Sequence, residues 1–167
     1  MSEELLVKFK DEYVKEHLYD HGCALKYQSP GSSGFDLRAN EIYMDKNKRK
    51  ELTLEESYVL KSKERCLIFT GIFTQFNENF EIQIRSRSGL ALKNGIIVLN
   101  SPGTIDSDYT NEIGVILYNT SNEDFTISFG DRIAQAVFAP ICKAKFVYVS
   151  ELSETERTGG FGSTGKQ

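Results

Sequence analysis

From Tyr58 to Ser150 the chain is a succession of short apolar runs, almost none with a helix-length apolar period, and that pattern limits the fold more than any other feature. The runs are Tyr58 to Leu60, Cys66 to Phe76, Phe80 to Arg87, Ile96 to Leu99, Ile113 to Tyr118, Phe125 to Phe129, Ile133 to Phe138 and Ala144 to Ser150. Turn-like or charged breaks separate them. Within the third run Ile82 and Ile84 fall on one face and Gln83, Arg85 and Arg87 on the other, the period-2 mark of a half-buried strand. Strands this short and this regularly spaced predict an all-β sandwich, jelly roll or barrel. At 167 residues the chain is large enough to bury one real core, so one domain is expected.

The N-terminal part is more mixed. Leu5 to Phe9 reads as a first strand, and Asp11 to Leu18 as a helical turn or a solvated loop. His17 and His21 are the only histidines; their i, i+4 spacing suits a metal on a helix, but with no third ligand nearby they read as a surface pair. Any Ser-His-Asp or Cys-His catalytic site would have to be built around this extension. Residues 28–34 form a loop by every turn signal, and Phe35 to Ala39 resumes an alternating strand in which Asp36 points opposite to its apolar neighbours. Residues 45–56 are a charge run, read as a solvated surface loop with no chemistry assigned.

Charge and cysteine content exclude several classes. A net charge of −4 leaves no basic footprint for nonspecific nucleic-acid binding. Cys23, Cys66 and Cys142 are odd in number, far apart and in no CxxC spacing, which predicts reduced, mostly buried thiols rather than a disulfide framework or a zinc site. With no N-terminal apolar h-region and no run of about 18 apolar residues, a soluble cytoplasmic protein is expected. Asn119-Thr120-Ser121 matches a glycosylation sequon, a match without meaning in that setting.

The chemistry concentrates between Glu81 and Tyr109. The alternating strand stops at Ser88-Gly89, where glycine allows close approach and Arg87, Ser88 and free backbone N–H groups suit an oxyanion such as phosphate. A helical turn, Leu90 to Lys93, and the run Ile96 to Leu99 lead into Asn100-Ser101-Pro102-Gly103, a turn by composition. Thr104-Ile105-Asp106-Ser107-Asp108-Tyr109 then sets a carboxylate and an aromatic three residues apart. Asp106 and Asp108 can chelate a metal jointly, or Asp106 alone can act as a base on water. Gly130 to Gln135 begins with a turn and enters a buried strand; Arg132 there reads equally as a structural ion-pair partner. Gly160 to Lys166 satisfies the spacing of a P-loop, but no strand feeds it closely and Gln167 follows the lysine instead of Ser or Thr, so it is a decoy.

Five stretches carry a family resemblance: SGFDLRA at 33–39, SRSGLA at 86–91, GTIDSDY at 103–109, GDRIAQ at 130–135 and GGFGSTG at 159–165. In this order they resemble the five motifs of the trimeric dUTP diphosphatases (dUTPases). The resemblance implies a dUTPase-like jelly roll, or β-clip. Residues 1–150 would form the β domain, with an N-terminal extension at 1–22 containing the first strand. Residues 151–167 would be a flexible, glycine-rich arm closing over a neighbouring active site, in a homotrimer with intersubunit sites. It implies Mg²⁺-dependent hydrolysis of dUTP to dUMP and diphosphate by water attacking the α-phosphorus, with Asp106 as catalytic base and Asp108 structural. Asp36 would help hold Mg²⁺ through its water shell.

Substrate contacts follow from the same resemblance. Arg87, Ser88, Gly89 and Gln135 would meet the phosphates. Asn100 and the backbone of Thr104, Ile105, Asp106 and Gly114 would read uracil. Tyr109, flat against the sugar, would leave no room for a 2′-hydroxyl. Phe161 would stack on the uracil while Arg157, Gly162, Ser163 and Thr164 contact the β and γ phosphates. The chain departs from the pattern twice. Asn111 stands where glycine is common two residues past the tyrosine, and the fifth motif is one residue shorter after Arg157. Two other readings stand beside this one, a dCTP deaminase of the same fold and a noncatalytic trimeric binding or regulatory module. The deaminases resemble R-S-S-L-A-R at the second motif and carry a glutamate ten residues after the aspartate of the third, where this chain has Ile116.

Overall fold

The computed structural model describes residues 3–20, 25–45 and 48–156. In chain order its elements are β1 (Leu6–Phe9), α1 (Glu12–Leu18), β2 (Phe35–Arg38), β3 (Glu41–Asp45), β4 (Lys48–Glu51), β5 (Tyr58–Leu60), β6 (Arg65–Phe69) and β7 (Ile72–Gln75). There follow β8 (Phe80–Arg85), α2 (Ser88–Asn94), β9 (Ile96–Val98), β10 (Gly103–Ile105), β11 (Gly114–Asn119), β12 (Phe125–Ile127) and β13 (Arg132–Pro140). Among the described residues the strands form a four-stranded sheet in the order β10-β8-β13-β2 and a five-stranded sheet in the order β4-β3-β6-β11-β9. Two small ladders, β1-β7 and β12-β5, complete them. Every pairing is antiparallel. This is an all-β jelly roll, as the spacing of the apolar runs predicts.

Alternation decides which face of each strand enters the core. In β11, Val115, Leu117 and Asn119 are buried while Gly114, Ile116 and Tyr118 are half-buried; in β8, Ile82 and Ile84 point inward. Val115, Leu117, Ile82 and Ile84 join Leu37, Ile42, Ile68, Ile72 and Ile127 in one apolar cluster drawn from both large sheets and the small ladders. Each fully buried aliphatic side chain there stabilises the fold by roughly 1.5–3 kcal/mol. Asn119, the sequon residue, is buried with them. Its amide donates to the Leu60 and Glu123 carbonyls and its oxygen accepts from Ser121, so it is a satisfied core asparagine.

Asp11 decides the question left open for the first charged segment. Its carboxylate accepts the Val14 N–H at 2.8 Å as an N-cap, so Glu12–Leu18 is a helix with Val14 and Leu18 buried. His17 stacks on Tyr13, 4.0 Å between ring centres, while His21 lies outside the described residues. The run Cys66 to Phe76 is two strands, because Gly71 sits between them at φ +73°, a conformation that turns the chain. A side chain there would also collide with Val14, its Cβ 2.5 Å from a valine methyl.

Three expectations fail. The thiols are not mostly buried: Cys66 is buried but Cys142 is exposed, and Cys23 lies outside the described residues. Residues 45–56 are not simply a solvated loop, because β4 pairs with β3 and Leu52 is buried. A charge run has no apolar period to betray it, and its strand character comes from the ladder alone. Nor is Ala144 to Ser150 a strand: residues 141–149 lie outside any regular element, with Phe146 82%, Val147 72% and Tyr148 96% exposed. A strand needs an edge to pair with, and this segment meets none among the described residues. No helix among the described residues is long and apolar enough to cross a membrane.

Candidate active site

A cavity of about 240 Å³ opens between the two large sheets. Its walls are Asn100, Gly103, Thr104, Ile105, Asp106 and Tyr109 on one side and Gly114, Val115 and Ile116 on the other, with Leu67, Phe69, Ile84 and Val98 contributing apolar surface. Of the residues expected to serve base, sugar and catalysis, Asn100, Thr104, Ile105, Asp106, Tyr109 and Gly114 are here, and Phe161 lies outside the described residues. The topology explains why backbone groups are free to recognise something. β10 is the outermost strand of its sheet, hydrogen-bonded to β8 alone. On β11 the β9 side is occupied from Ile116 onward, whose carbonyl accepts from Leu99 N–H at 2.8 Å, which leaves Gly114 without a strand partner on that side among the described residues. Two open strand edges therefore face the same space, presenting N–H and C=O groups that have no strand partner among the described residues.

Close packing shapes this space. A Cβ on Gly114 would lie 2.9 Å from a Leu67 methyl and 3.4 Å from the Phe69 ring, so only glycine lets the β11 backbone stand in the wall. Gly103 has the Asn100 amide nitrogen 3.2 Å from where its Cβ would be, so the turn brings Asn100 against the start of β10. Asp106 follows β10 directly and is exposed; the Tyr109 N–H donates to its main-chain carbonyl at 3.1 Å. The Tyr109 hydroxyl donates to the Glu112 carbonyl at 3.1 Å, which fixes the ring beside the cavity, 38% exposed.

The expected phosphate ligands form a second group. Arg87 precedes α2, and Ser88 and Gly89 open its first turn, whose N–H groups lack intrahelical acceptors. Arg87 Nε lies 3.1 Å from the Asp36 carboxylate and Arg132 lies 3.2 Å from its other oxygen, while Arg87 also donates to the Arg132 carbonyl at 2.8 Å. Gln135 donates to the Ser86 carbonyl at 3.0 Å, and the Ser86 hydroxyl accepts the Val98 N–H at 2.8 Å. Asp36 and Arg132 thus act together as an ion-pair node that holds the end of β8. None of Asp36, Arg87, Ser88, Gly89 or Gln135 lines the cavity. Arg157, Phe161, Gly162, Ser163 and Thr164 lie outside the described residues. No cluster of three or more His, Cys, Asp or Glu side chains suited to a metal occurs among the described residues.

Sequence reasoning missed Leu67 and Phe69, whose place in the wall comes from the β6-β11 register, Gly114 opposite Phe69 and Ile116 opposite Leu67. It also missed the charges behind that wall, Arg49, Glu41 and Glu112. Nothing in a charge run says that its one arginine, Arg49, will lie on the ring of Phe69.

Comparison with known proteins places this geometry. The family model described as dUTPase matches residues 50–165. The deoxyuridine 5′-triphosphate nucleotidohydrolase of Treponema denticola is 51% identical over 141 residues, covering 84% of this chain and 89% of that one. That of Helicobacter hepaticus is 48% identical over 158 residues, covering 93% and 90%. Among solved structures, a mutant dUTPase of S. aureus phage phi11, described with a coordinated structural Mg(II) ion, superposes with a TM-score of 0.68 at 18% identity over 90% of this chain and 99% of that one. The family match spans the cavity, the Asp106 loop, and Arg87 and Arg132, the two arginines that pair with Asp36, and the chain belongs to the dUTPase family.

Proposed function

We propose that this protein hydrolyses dUTP to dUMP and diphosphate, with Asp106 orienting and deprotonating the water that attacks the α-phosphorus. The observation that carries the reading is the cavity: one carboxylate, one aromatic wall and two open strand edges meet in a space lined at its back by Leu67, Phe69 and Val98. Uracil alternates acceptor, donor and acceptor along its edge. The outward groups of β10 and of Gly114, with Asn100, supply the complement, and cytosine would leave buried groups unpaired. In a dry site such a mismatch costs on the order of 10⁴ in discrimination. Thymine offers the same edge and is refused at its 5-methyl by close backbone. Tyr109 lies along the sugar and refuses a 2′-hydroxyl. Ile116, which lines the cavity ten residues after Asp106, offers no carboxylate to a deaminase reaction.

Arg87, Ser88, Gly89 and Gln135 bind the phosphates. Because they stand apart from the cavity of their own chain, a complete site draws Asp106 and Tyr109 from one subunit and the phosphate ligands from another, in a homotrimer with three sites. The exposed apolar residues Phe146, Val147, Tyr148 and Val149 support this assembly, since a second copy offers the edge that the segment lacks. Residues 151–167 close over a neighbouring site as the arm that brings Arg157, Phe161, Gly162, Ser163 and Thr164 to the nucleotide.

The donor set fits Mg²⁺, which keeps most of its waters and takes few direct protein ligands. Asp36 pairs with two guanidinium groups, accepting a hydrogen bond from Arg132, and retains lone pairs for a hydrogen-bonded water shell, so it would hold the ion indirectly, together with the triphosphate. When bound, the ion neutralises charge on the phosphates. No covalent intermediate is expected, because among the described residues Ser88 has no histidine in its surroundings to activate it. The buried, unpaired Cys66 suits a reducing, cytoplasmic setting, where the reaction keeps uracil out of DNA and provides the dUMP used to make thymidylate. Diphosphate release from dUTP, dCTP, dTTP and UTP tests the reading: strong preference for dUTP is expected, and equal rates overturn it.

A further inference from the structure

Behind the cavity lies a charged cluster that the reaction itself does not use. Glu112 is buried, 4% exposed, with one carboxylate oxygen accepting the Gly71 N–H at 2.8 Å and the other paired with Arg49. The same Arg49 nitrogen reaches Glu41, also buried, at 3.4 Å, and Glu41 is paired in turn with Lys10. The Arg49 guanidinium also lies over the Phe69 ring, 3.4 Å from its centre. Phe69 is a wall of the cavity, and the main-chain carbonyl of Glu112 is the acceptor for the Tyr109 hydroxyl. One arginine on β4 therefore touches the inner wall directly and the sugar-side wall through a single residue.

We propose that Arg49 and Glu112 are positioning residues for sugar discrimination: their ion pair, anchored on the Gly71 amide, sets the height of the Tyr109 ring and so the gap left for a 2′ substituent. The proposal rests on the reading of Tyr109 as the sugar wall. Its physical basis is the cost of a buried carboxylate. Glu112 has one close cationic partner, and a buried carboxylate stripped of its counter-charge is strongly disfavoured. Deprived of Arg49, it relieves that cost by turning toward water. The Glu112 backbone moves with it, and with the backbone goes the acceptor that holds the tyrosine. The tyrosine then swings on its single remaining attachment and the wall loosens. Charge is the lever, so a neutral glutamine at 112, still able to accept from Gly71, leaves no buried charge to relieve.

The test compares kcat/KM for dUTP with that for UTP in Arg49→Met, Glu112→Gln, the double variant and Tyr109→Ala, at a temperature where melting curves show each fully folded. Contacting residues in one charged network couple strongly enough for the dUTP/UTP ratio to fall about tenfold in Arg49→Met. Turnover on dUTP should change much less, because Arg49 touches no reacting group. The double variant should recover most of the ratio. A change in stability alone would shift melting temperature without this pattern. A ratio that falls for Tyr109→Ala but stays within twofold for Arg49→Met overturns the positioning role and leaves the sugar reading intact. Equal losses in Arg49→Met and the double variant overturn the charge mechanism. An unchanged ratio in Tyr109→Ala overturns the sugar reading, and the proposal with it.

Discussion

Asp106 carries more of the proposed chemistry than any other side chain, and its place follows from its neighbours. It stands where β10 ends, beside two open strand edges, with its main-chain carbonyl already engaged by the Tyr109 N–H. Asp106→Asn keeps the shape and removes the base, so steady-state turnover of dUTP should drop by about 10²–10⁴ while binding of a nonhydrolysable analogue persists. Gly114 supports the same site through what it lacks. In Gly114→Ala the new methyl meets Leu67 at 2.9 Å and pushes it toward the cavity, so KM for dUTP should rise. Cys66 illustrates the opposite fate, a potentially reactive group silenced by its surroundings. Burial pushes its thiol up to about 12, so at pH 8 almost none is thiolate, and peptide mapping after alkylation should find it unmodified until the protein is denatured.

At the scale of elements, the β6-β7 turn ties the site to the rest of the fold. Gly71 donates to Glu112, its positive φ suits glycine, and its missing Cβ makes room for Val14 of α1. Gly71→Ala combines backbone strain with a clash against a core residue and should destabilise by about 2–4 kcal/mol, read as a lower midpoint in urea. A milder, pH-dependent contribution joins the loop before β6 to the start of β12. The Lys61 ammonium, with help from the Ser62 N–H, holds the Asp124 carboxyl below its ordinary 3.8. A depressed carboxyl contributes stability above its unfolded pKa and loses it as pH falls through the folded value. Asp124→Asn should therefore lower the melting temperature slightly at pH 7 and leave it unchanged well below pH 3.8. The strands were legible from alternation wherever one face is apolar, as in β8 and β11. Alternation was silent for β4, whose residues are all charged, and misleading for residues 144–150, whose apolar pattern belongs to a surface without a partner in the chain. In the site, short-range spacing found Asn100 through Tyr109 because one hairpin holds them. Phe69 and Arg49 are brought there by ladder register and by a salt bridge, which no local pattern encodes.

For the molecule as a whole, the separation of the two groups of site residues would, in the proposed homotrimer, make assembly part of catalysis. If the cavity and the phosphate ligands belong to different subunits, mixing inactive Asp106→Asn and Arg87→Ala proteins and refolding them together should restore part of the activity, because some sites then combine intact halves. Proteins that stay inactive when co-refolded would place both groups in one subunit. The central claim is selective hydrolysis of a deoxyuridine triphosphate by a single carboxylate, and it is tested most directly by diphosphate release from dUTP, UTP, dCTP and dTTP in parallel with the Asp106→Asn variant. The account predicts rapid release from dUTP alone, lost in the variant; comparable rates on UTP or dCTP, or an undiminished rate in the variant, would contradict it.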